Sequence, residues 1–266
     1  MKVTTITPVL GAAVAFALLA SSCQIAAPPV EQAPVAATAP ADPLQQPPSS
    51  DPMIAGFQKS TVASVSDAVD QVTGKRGYMA HDMRPFVGRA FVGRAVTALV
   101  KPAKPADSTP ATAVKHPVEM IDNANPGEVG VIVFEDGLEI AALGGLMATA
   151  AKARGMAGMV LDGALRDIDE VTRLGLPVFA RAASPANAVG RYASVARNIP
   201  VECAGVTVAP GDIIVAGPDG IVVVPQDSAE EVLRRAQEID ERETKMVPFI
   251  QKEKSLQKAV ATFDRI

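Results

Sequence analysis

Apolar residues recur along this chain with more than one rhythm, and each rhythm predicts a different element. In STVASVSDAVDQV, residues 60–72, Val62, Val65, Val69 and Val72 fall three and four apart. That spacing predicts an amphipathic helix capped by Ser60 or Thr61. FVGRAFVGRAVTALV, residues 86–100, carries a tandem FVGRA pentapeptide and closes on the alternating, branched Ala95-Val96-Thr97 pattern of a strand. Two copies do not make a repeat architecture, so a local duplication is the better reading. Three Pro and scattered Lys make 101–116 a loop. The turn Asn125-Pro126-Gly127-Glu128 then introduces the continuous apolar run 129–134, a buried strand.

Strong helix formers fill 146–154 and stop at Gly155. A second strand is expected at 159–161, followed by a turn at 162–165, a short helix at 167–174 stopped by Gly175, and a third strand at 177–180. Strand, helix, strand, helix, strand at this spacing predicts a right-handed parallel unit. Three further apolar runs, 201–208, 213–216 and 221–224, are joined by Ala209-Pro210-Gly211-Asp212 and Pro218-Asp219-Gly220 and read as a β-meander. Ser228 with Glu231 makes a capping-box pattern, and Val232, Leu233, Ala236 and Ile239 give the final helix one apolar face. The fold class is mixed α/β, with a parallel βαβ core and a C-terminal β-meander plus helix.

Composition narrows the chemistry. The 266 residues carry a formal net charge of −4, against a nucleic-acid binder that works by neutralising phosphates. Two Cys, Cys23 and Cys203, with two His, His81 and His116, supply neither a disulfide framework nor a Cys/His zinc site. The first residues read as an address: Lys2, an apolar run at 9–20, then Ser21 and Ser22 before Cys23. Leu18-Leu19-Ala20-Ser21-Ser22-Cys23 resembles a bacterial lipoprotein cleavage box, with Ala20 where a larger aliphatic is usual. The alternative is an ordinary secretory signal with an incidental Cys. Residues 24–55 follow as a Pro/Ala-rich tether with few large hydrophobes. Extended at about 3.1 Å per residue, residues 24–51 of it reach roughly 90 Å. The expected organisation is a lipoprotein-type signal at 1–23, the tether, and a folded domain at 56–266, exported and anchored by lipid on Cys23 at the periplasmic side of a membrane.

Two motifs carry candidate chemistry. Gly144-Gly145-Leu146-Met147 stands where the chain enters a helix, where glycines permit close approach and free N–H groups attract anions. Arg166-Asp167 follows the second strand. In a parallel sheet, residues beyond adjacent strand ends converge on one crevice, so the two motifs should face each other. Arg166 offers a planar fork for a carboxylate, and Asp167 suits a hard divalent cation. The bland alternatives are an ordinary Gly turn and a surface Arg beside a helix-capping Asp.

The segment GGLMATAAKARGMAGMVLDGALRD closely resembles the signature of the family that contains 4-hydroxy-4-methyl-2-oxoglutarate aldolases, oxaloacetate decarboxylases and the regulator of ribonuclease E activity, and the likeness runs from about residue 60 to 254. SVSDAVD, NPGEVGVIV, LGLPVFAR and APGDIIVAGPDGIVVVP recur in matching order. The resemblance implies a swivelling β/β/α domain assembled as a homotrimer or hexamer. It implies that the backbone at Gly144, Gly145, Leu146 and Met147, with the Arg166 side chain, binds a small α-keto acid, and that Asp167 holds magnesium or manganese. The activity expected is a metal-dependent lyase on a keto-diacid, with Arg166 catalytic; the alternative is a catalytically weak regulatory binder. Family aldolases carry an acid separated by twenty residues from the Arg-Asp pair, and here that position is Gly145. Glu241 or Glu243 corresponds to a family Glu that reaches a neighbouring subunit's site, unless it belongs to a solvated charge run; Asp122 is a further candidate, and Cys203 reads as a small core residue. The export reading predicts that Cys23→Ala moves from the membrane fraction to the soluble fraction; undiminished membrane retention would sink lipid anchoring.

Overall fold

Local signals set the first helices of the computed structural model, which describes residues 46–265; Cys23, the signal segment and most of the Pro-rich stretch lie outside the described residues. The Asp51 carboxylate accepts from the Met53 N–H and opens α1 (Pro52–Phe57). Thr61 caps α2 (Val62–Thr73) through the Ser64 N–H, and Gly74 ends it in the left-handed region. The chain continues through β1 (Arg84–Val87), β2 (Phe91–Pro102), α3 (Lys115–Asp122), β3 (Val129–Phe134), β4 (Ala141–Leu143) and α4 (Gly145–Ala153). Next come β5 (Gly158–Leu165), α5 (Ile168–Leu174), β6 (Val178–Ala183), β7 (Tyr192–Arg197), β8 (Val201–Cys203) and β9 (Val206–Val208). β10 (Ile213–Gly217), β11 (Gly220–Val224), α6 (Ala229–Glu253) and α7 (Leu256–Phe263) complete it.

The strands β3, β5 and β6 run parallel and adjacent, with α4 and α5 in the connections, as the alternation of patterns predicts. Among the described residues, nine strands form one sheet in the order β1-β6-β5-β3-β2-β10-β11, with β4 added to β5 and β7 to β2. The long β2 joins its two parts: Phe91–Arg94 pair with β10, while later residues pair with β3 and β7. Along β3, Ile132 and Phe134 face a core shared with α3, α4 and α5, and Val129, Val131 and Val133 face a second core with β8 to β11. The outer faces of β10 and β11 pack with α1, α2 and α6 around Phe57, Val65, Val232 and Ala236. Alternating side chains thus serve different cores from one strand, which is why these runs are apolar throughout.

Several expectations change in three dimensions. Residues 162–165, expected as a turn, extend β5 because β4 supplies a partner, with Ala141 opposite Ala164 and Leu143 opposite Leu165. The run 201–208 is a hairpin in itself, turning at Ala204 and Gly205 with φ of 48° and 81°. The C-terminal strands therefore pair as two hairpins, β10 lying between β11 and β2. α3 occupies the end of the expected loop; it starts without a side-chain cap, tolerates Pro117 in its first turn, and buries Met120 and Ile121. Ser228 makes no capping bond because its backbone is already helical, and Glu231 pairs with Arg234 instead. The stretch expected as a tether up to residue 55 lies against the domain from Gln46: its amide exchanges two hydrogen bonds with the Val92 backbone, 2.9 and 2.8 Å, and Asp51 accepts from Arg94. No helix among the described residues is long and apolar enough to cross a membrane.

One polar network ties the sheet to β8–β9. Arg181 on β6 donates to Asp82 Oδ2 through Nε and Nη2, at 2.9 and 2.8 Å, and to Asp162 Oδ1 through Nη1 at 2.9 Å. Asp162 Oδ2 accepts from the Ala204 N–H, fixing the hairpin turn. The guanidinium holds the Asp82 carboxyl below its usual range. Arg181→Leu strands the buried Asp162 and should cost on the order of 3 kcal/mol, lowering Tm by roughly 6–12 °C for a domain of this size. A depressed carboxylate contributes fully above its ordinary pKa and loses its contribution as pH falls through the lowered value. The gap between the two proteins, followed by thermal melts, should therefore narrow in acid.

Candidate active site

The β4–β5 pairing sets the two motifs side by side. Leu143 and Leu165 are opposite one another in a parallel pair, so Gly144-Gly145 and Arg166-Asp167 leave the sheet together, and the Leu143 carbonyl accepts from the Arg166 N–H at 3.1 Å. Gly144 is the extended N-cap of α4. A methyl group there would lie 2.7 Å from Arg166 Nε and 2.9 Å from Asp167 Oδ2, so the bare backbone lets the loops touch. Asp167 adopts a left-handed conformation, φ 56°, which a short polar side chain tolerates. Its Oδ2 accepts from the Gly145 N–H at 2.9 Å and stands 3.6 Å from Arg166 Nε.

Both charged side chains remain reachable, with Arg166 41% and Asp167 45% exposed. Among the described residues, the Arg166 terminal nitrogens and Asp167 Oδ1 have no hydrogen-bond partner. The Gly144 cap supplies no side-chain acceptor to α4, which leaves the N–H groups of Leu146 and Met147 uncapped. Leu146 is 88% exposed, whereas Met147 packs partly against the first core. A hollow of about 390 Å³ opens beside Arg166 and Asp167, floored by Leu165, Ala183, Ser184 and Pro185. The arrangement offers a guanidinium fork and helix-start N–H groups to an anion, and one carboxylate to a cation.

No cluster of three His, Cys, Asp or Glu side chains able to hold a metal occurs among the described residues. The free Asp167 oxygen nevertheless fits magnesium, which keeps several waters and is commonly bound by one or two carboxylates plus substrate oxygens. A larger hollow of about 1010 Å³ lies elsewhere, rimmed by Glu135, Asp136, Glu139 and Glu202. Its lining cation, Arg181, is already committed to Asp82 and Asp162, so this hollow does not suit a keto acid.

The remaining candidates fall outside this arrangement. Glu243 is paired within its own chain to Arg265, 2.7 Å, which also reaches Asp67 at 2.6 Å. Glu241 is exposed on α6, which packs with α1 and α2 in the third core and not with α4 and α5. Asp122 is the exposed last residue of α3. Cys203 is fully buried, and burial pushes its thiol pKa up, consistent with a core role. Sequence reasoning missed Glu170. A side chain at Gly145 would lie 2.5 Å from Glu170 Cδ and 2.9 Å from Oε1, and closer still to Oε2. The available signal was its position three residues after Asp167 at the start of a short helix.

Known proteins resemble the chain at this site and across the fold. A 4-hydroxy-4-methyl-2-oxoglutarate aldolase from Thermus thermophilus is 34% identical over 100 residues, covering 36% of this chain and 60% of that protein. An uncharacterised protein of Methanocaldococcus jannaschii is 40% identical over 119 residues, covering 44% of this chain and 56% of its own length. The matched part thus spans little more than half of these relatives. Streptomyces coelicolor RraAS2, described as an unusual member of the RNase ES inhibitor RraA protein family, superposes with a TM-score of 0.65 at 26% identity, over 75% of this chain and 97% of that one. An uncharacterised Pseudomonas syringae protein reaches 0.71 at 29% identity, over 84% of this chain and all of its own. The RraA-like family model, described as Aldolase/RraA, matches residues 62–223, which include both motifs and the whole parallel unit, and the chain belongs to that family.

Proposed function

We propose that this domain is a divalent-metal-dependent lyase that cleaves a C–C bond of a keto-diacid, by oxaloacetate decarboxylation, by aldol cleavage of 4-hydroxy-4-methyl-2-oxoglutarate, or by both. The observation that carries the reading is the meeting of Arg166 and Asp167 with the Gly144–Gly145 entry of α4. The aldolase names among the relatives support a lyase over a purely regulatory role.

The substrate carboxylate is held by the Arg166 fork and the uncapped N–H groups of Leu146 and Met147. Asp167 would hold magnesium or manganese, which when bound would supply Lewis acidity toward the substrate's keto oxygen. As the C–C bond breaks, its electrons pass into the enolate of pyruvate, and Arg166 lies where it can stabilise that charge. Asp167 also keeps Gly145 and Arg166 in register through its Oδ2, so one carboxylate both shapes the turn and offers an oxygen outward. In decarboxylation the leaving group is carbon dioxide, and no base is required.

Pyruvate release from oxaloacetate by the full chain, with added magnesium or manganese and with chelator, is the test. Turnover should require the metal. Arg166→Ala should lower the rate about a hundredfold, the usual effect of removing a preorganised charge stabiliser. Asp167→Asn should raise the metal concentration needed for half-maximal rate. Full turnover in both variants at low metal would place the chemistry elsewhere, and a chain inactive in every arm would favour the regulatory alternative.

A further inference from the structure

β4, the strand that sets the level of the site, is three residues long and pairs in the sheet with β5 alone. Its entry is held by bonds from outside that ladder. The Ala141 N–H donates to the Ala186 carbonyl at 2.8 Å, and the Ile140 carbonyl accepts from the Ala164 N–H at 3.1 Å. One side chain joins these pieces. Ser184, the first residue after β6, donates its hydroxyl to the Glu139 carbonyl at 2.5 Å and accepts from the Ala186 N–H at 3.3 Å. Its own N–H donates to the Leu165 carbonyl at 3.1 Å. A single residue thus bonds the segment entering β4, the last residue of β5 and the segment leaving β6. Among the described residues, no other side chain bonds to the backbone of 139–143.

Ser184 also lies in the floor of the hollow beside Arg166 and Asp167, between the exposed Ala183 and Pro185. Its proton is committed to Glu139, so it offers no donor to a substrate anion and acts through the strands instead. Resting on the lyase reading, we propose that Ser184 is a positioning residue of this site. Its hydroxyl fixes the entry of β4 against the ends of β5 and β6, and so holds Gly144-Gly145 at the separation from Arg166-Asp167 at which both loops grip one carboxylate. Without the hydroxyl, the ladder and the Ala141 and Ala164 bonds keep β4 in the sheet, but its entry loosens. Because the anion is held from both loops, a small change in their separation weakens binding and misaligns the reacting atoms together.

The test compares the unaltered chain with Ser184→Ala, Ser184→Thr and Asn187→Ala, the last an exposed change in the same segment. Each is measured by steady-state pyruvate release from oxaloacetate with magnesium, calorimetric binding of oxalate in magnesium, thermal melts and backbone amide hydrogen exchange. Ser184→Ala should lower kcat/KM about tenfold to a hundredfold and weaken oxalate about tenfold at unchanged stoichiometry. Partial unfolding gives the opposite pattern, a lower stoichiometry at the same affinity. Exchange should quicken at the Ala141 and Arg166 amides, which donate to Ala186 and Leu143, and not at Val131 in the middle of the sheet. Tm should fall by no more than about 4 °C, the usual effect of one exposed hydrogen bond in a domain of this size. Ser184→Thr, which keeps the hydroxyl, should return turnover and binding to within about threefold of the unaltered chain, and Asn187→Ala should match it. Unchanged kcat/KM and oxalate affinity in Ser184→Ala, an equal loss in Ser184→Thr or Asn187→Ala, or faster exchange spread over the whole sheet would each overturn the assignment, with the lyase reading still standing. An unaltered chain that neither releases pyruvate nor binds oxalate would overturn the lyase reading, and exchange at Ala141 and Arg166 would then decide whether Ser184 holds the two loops.

Discussion

A three-residue strand carries the geometry of the candidate site. β4 pairs in parallel with the far end of β5, and that pairing brings Leu143 opposite Leu165 and sends two loops off the sheet at the same level. Everything proposed for the site follows from this register. A shift of one residue would turn Arg166 toward the opposite face, because side chains alternate along a strand. Gly144 completes the constraint, since any side chain there would meet Arg166 Nε and the Asp167 carboxylate. The backbone contact is affordable only where a Cβ is missing.

The acidic residues of this region show how one side-chain type takes different tasks according to its surroundings. Asp162, buried in the middle of β5, is neutralised by Arg181 and accepts from the Ala204 N–H, so it acts as a joint between the sheet and the β8–β9 hairpin. Asp167, five residues on, is outside the sheet and almost half exposed, and binds the Gly145 backbone through one oxygen only. Glu170, one helical turn further, has no partner among the described residues and lies over Gly145. A desolvated carboxylate needs a cation and a hydrogen-bond donor, whereas an exposed one can keep an oxygen for a ligand. The gradient of burial along residues 162–170 thus separates structural from chemical groups.

The FVGRA pair makes the same point for the backbone. In the first copy, Phe86 and Val87 end β1 and Gly88 turns at φ 66° against Pro177; in the second copy all five residues lie in β2. Identical pentapeptides adopt a turn in one place and a strand in the other because β10 is available to pair with the second copy. Partners in the sheet override local preference, as is usual for strands.

Periodicity was enough to identify α2, β3, α4, α5 and the apolar face of α6, because a helix or a fully buried strand writes its own repeat into consecutive residues. The Gly144-Gly145 and Arg166-Asp167 motifs were legible for the same reason, and the parallel order of β3, β5 and β6 followed from the lengths between them. Other features depended on residues distant in the chain. β4 is too short to carry a pattern and exists because β5 offers it an edge. α3 starts without a cap and is held by the burial of Met120 and Ile121. Ser228 has cap chemistry in the wrong backbone conformation, and Glu243 was drawn to Arg265 near the end of the chain. The sequence alone determined the residue types, a glycine pair and an Arg-Asp pair, that the two loops bring together. Only the tertiary structure decided that Glu170, on a different helix, occupies the space left open at Gly145, because that space is defined by two loops meeting and not by any run of neighbouring residues.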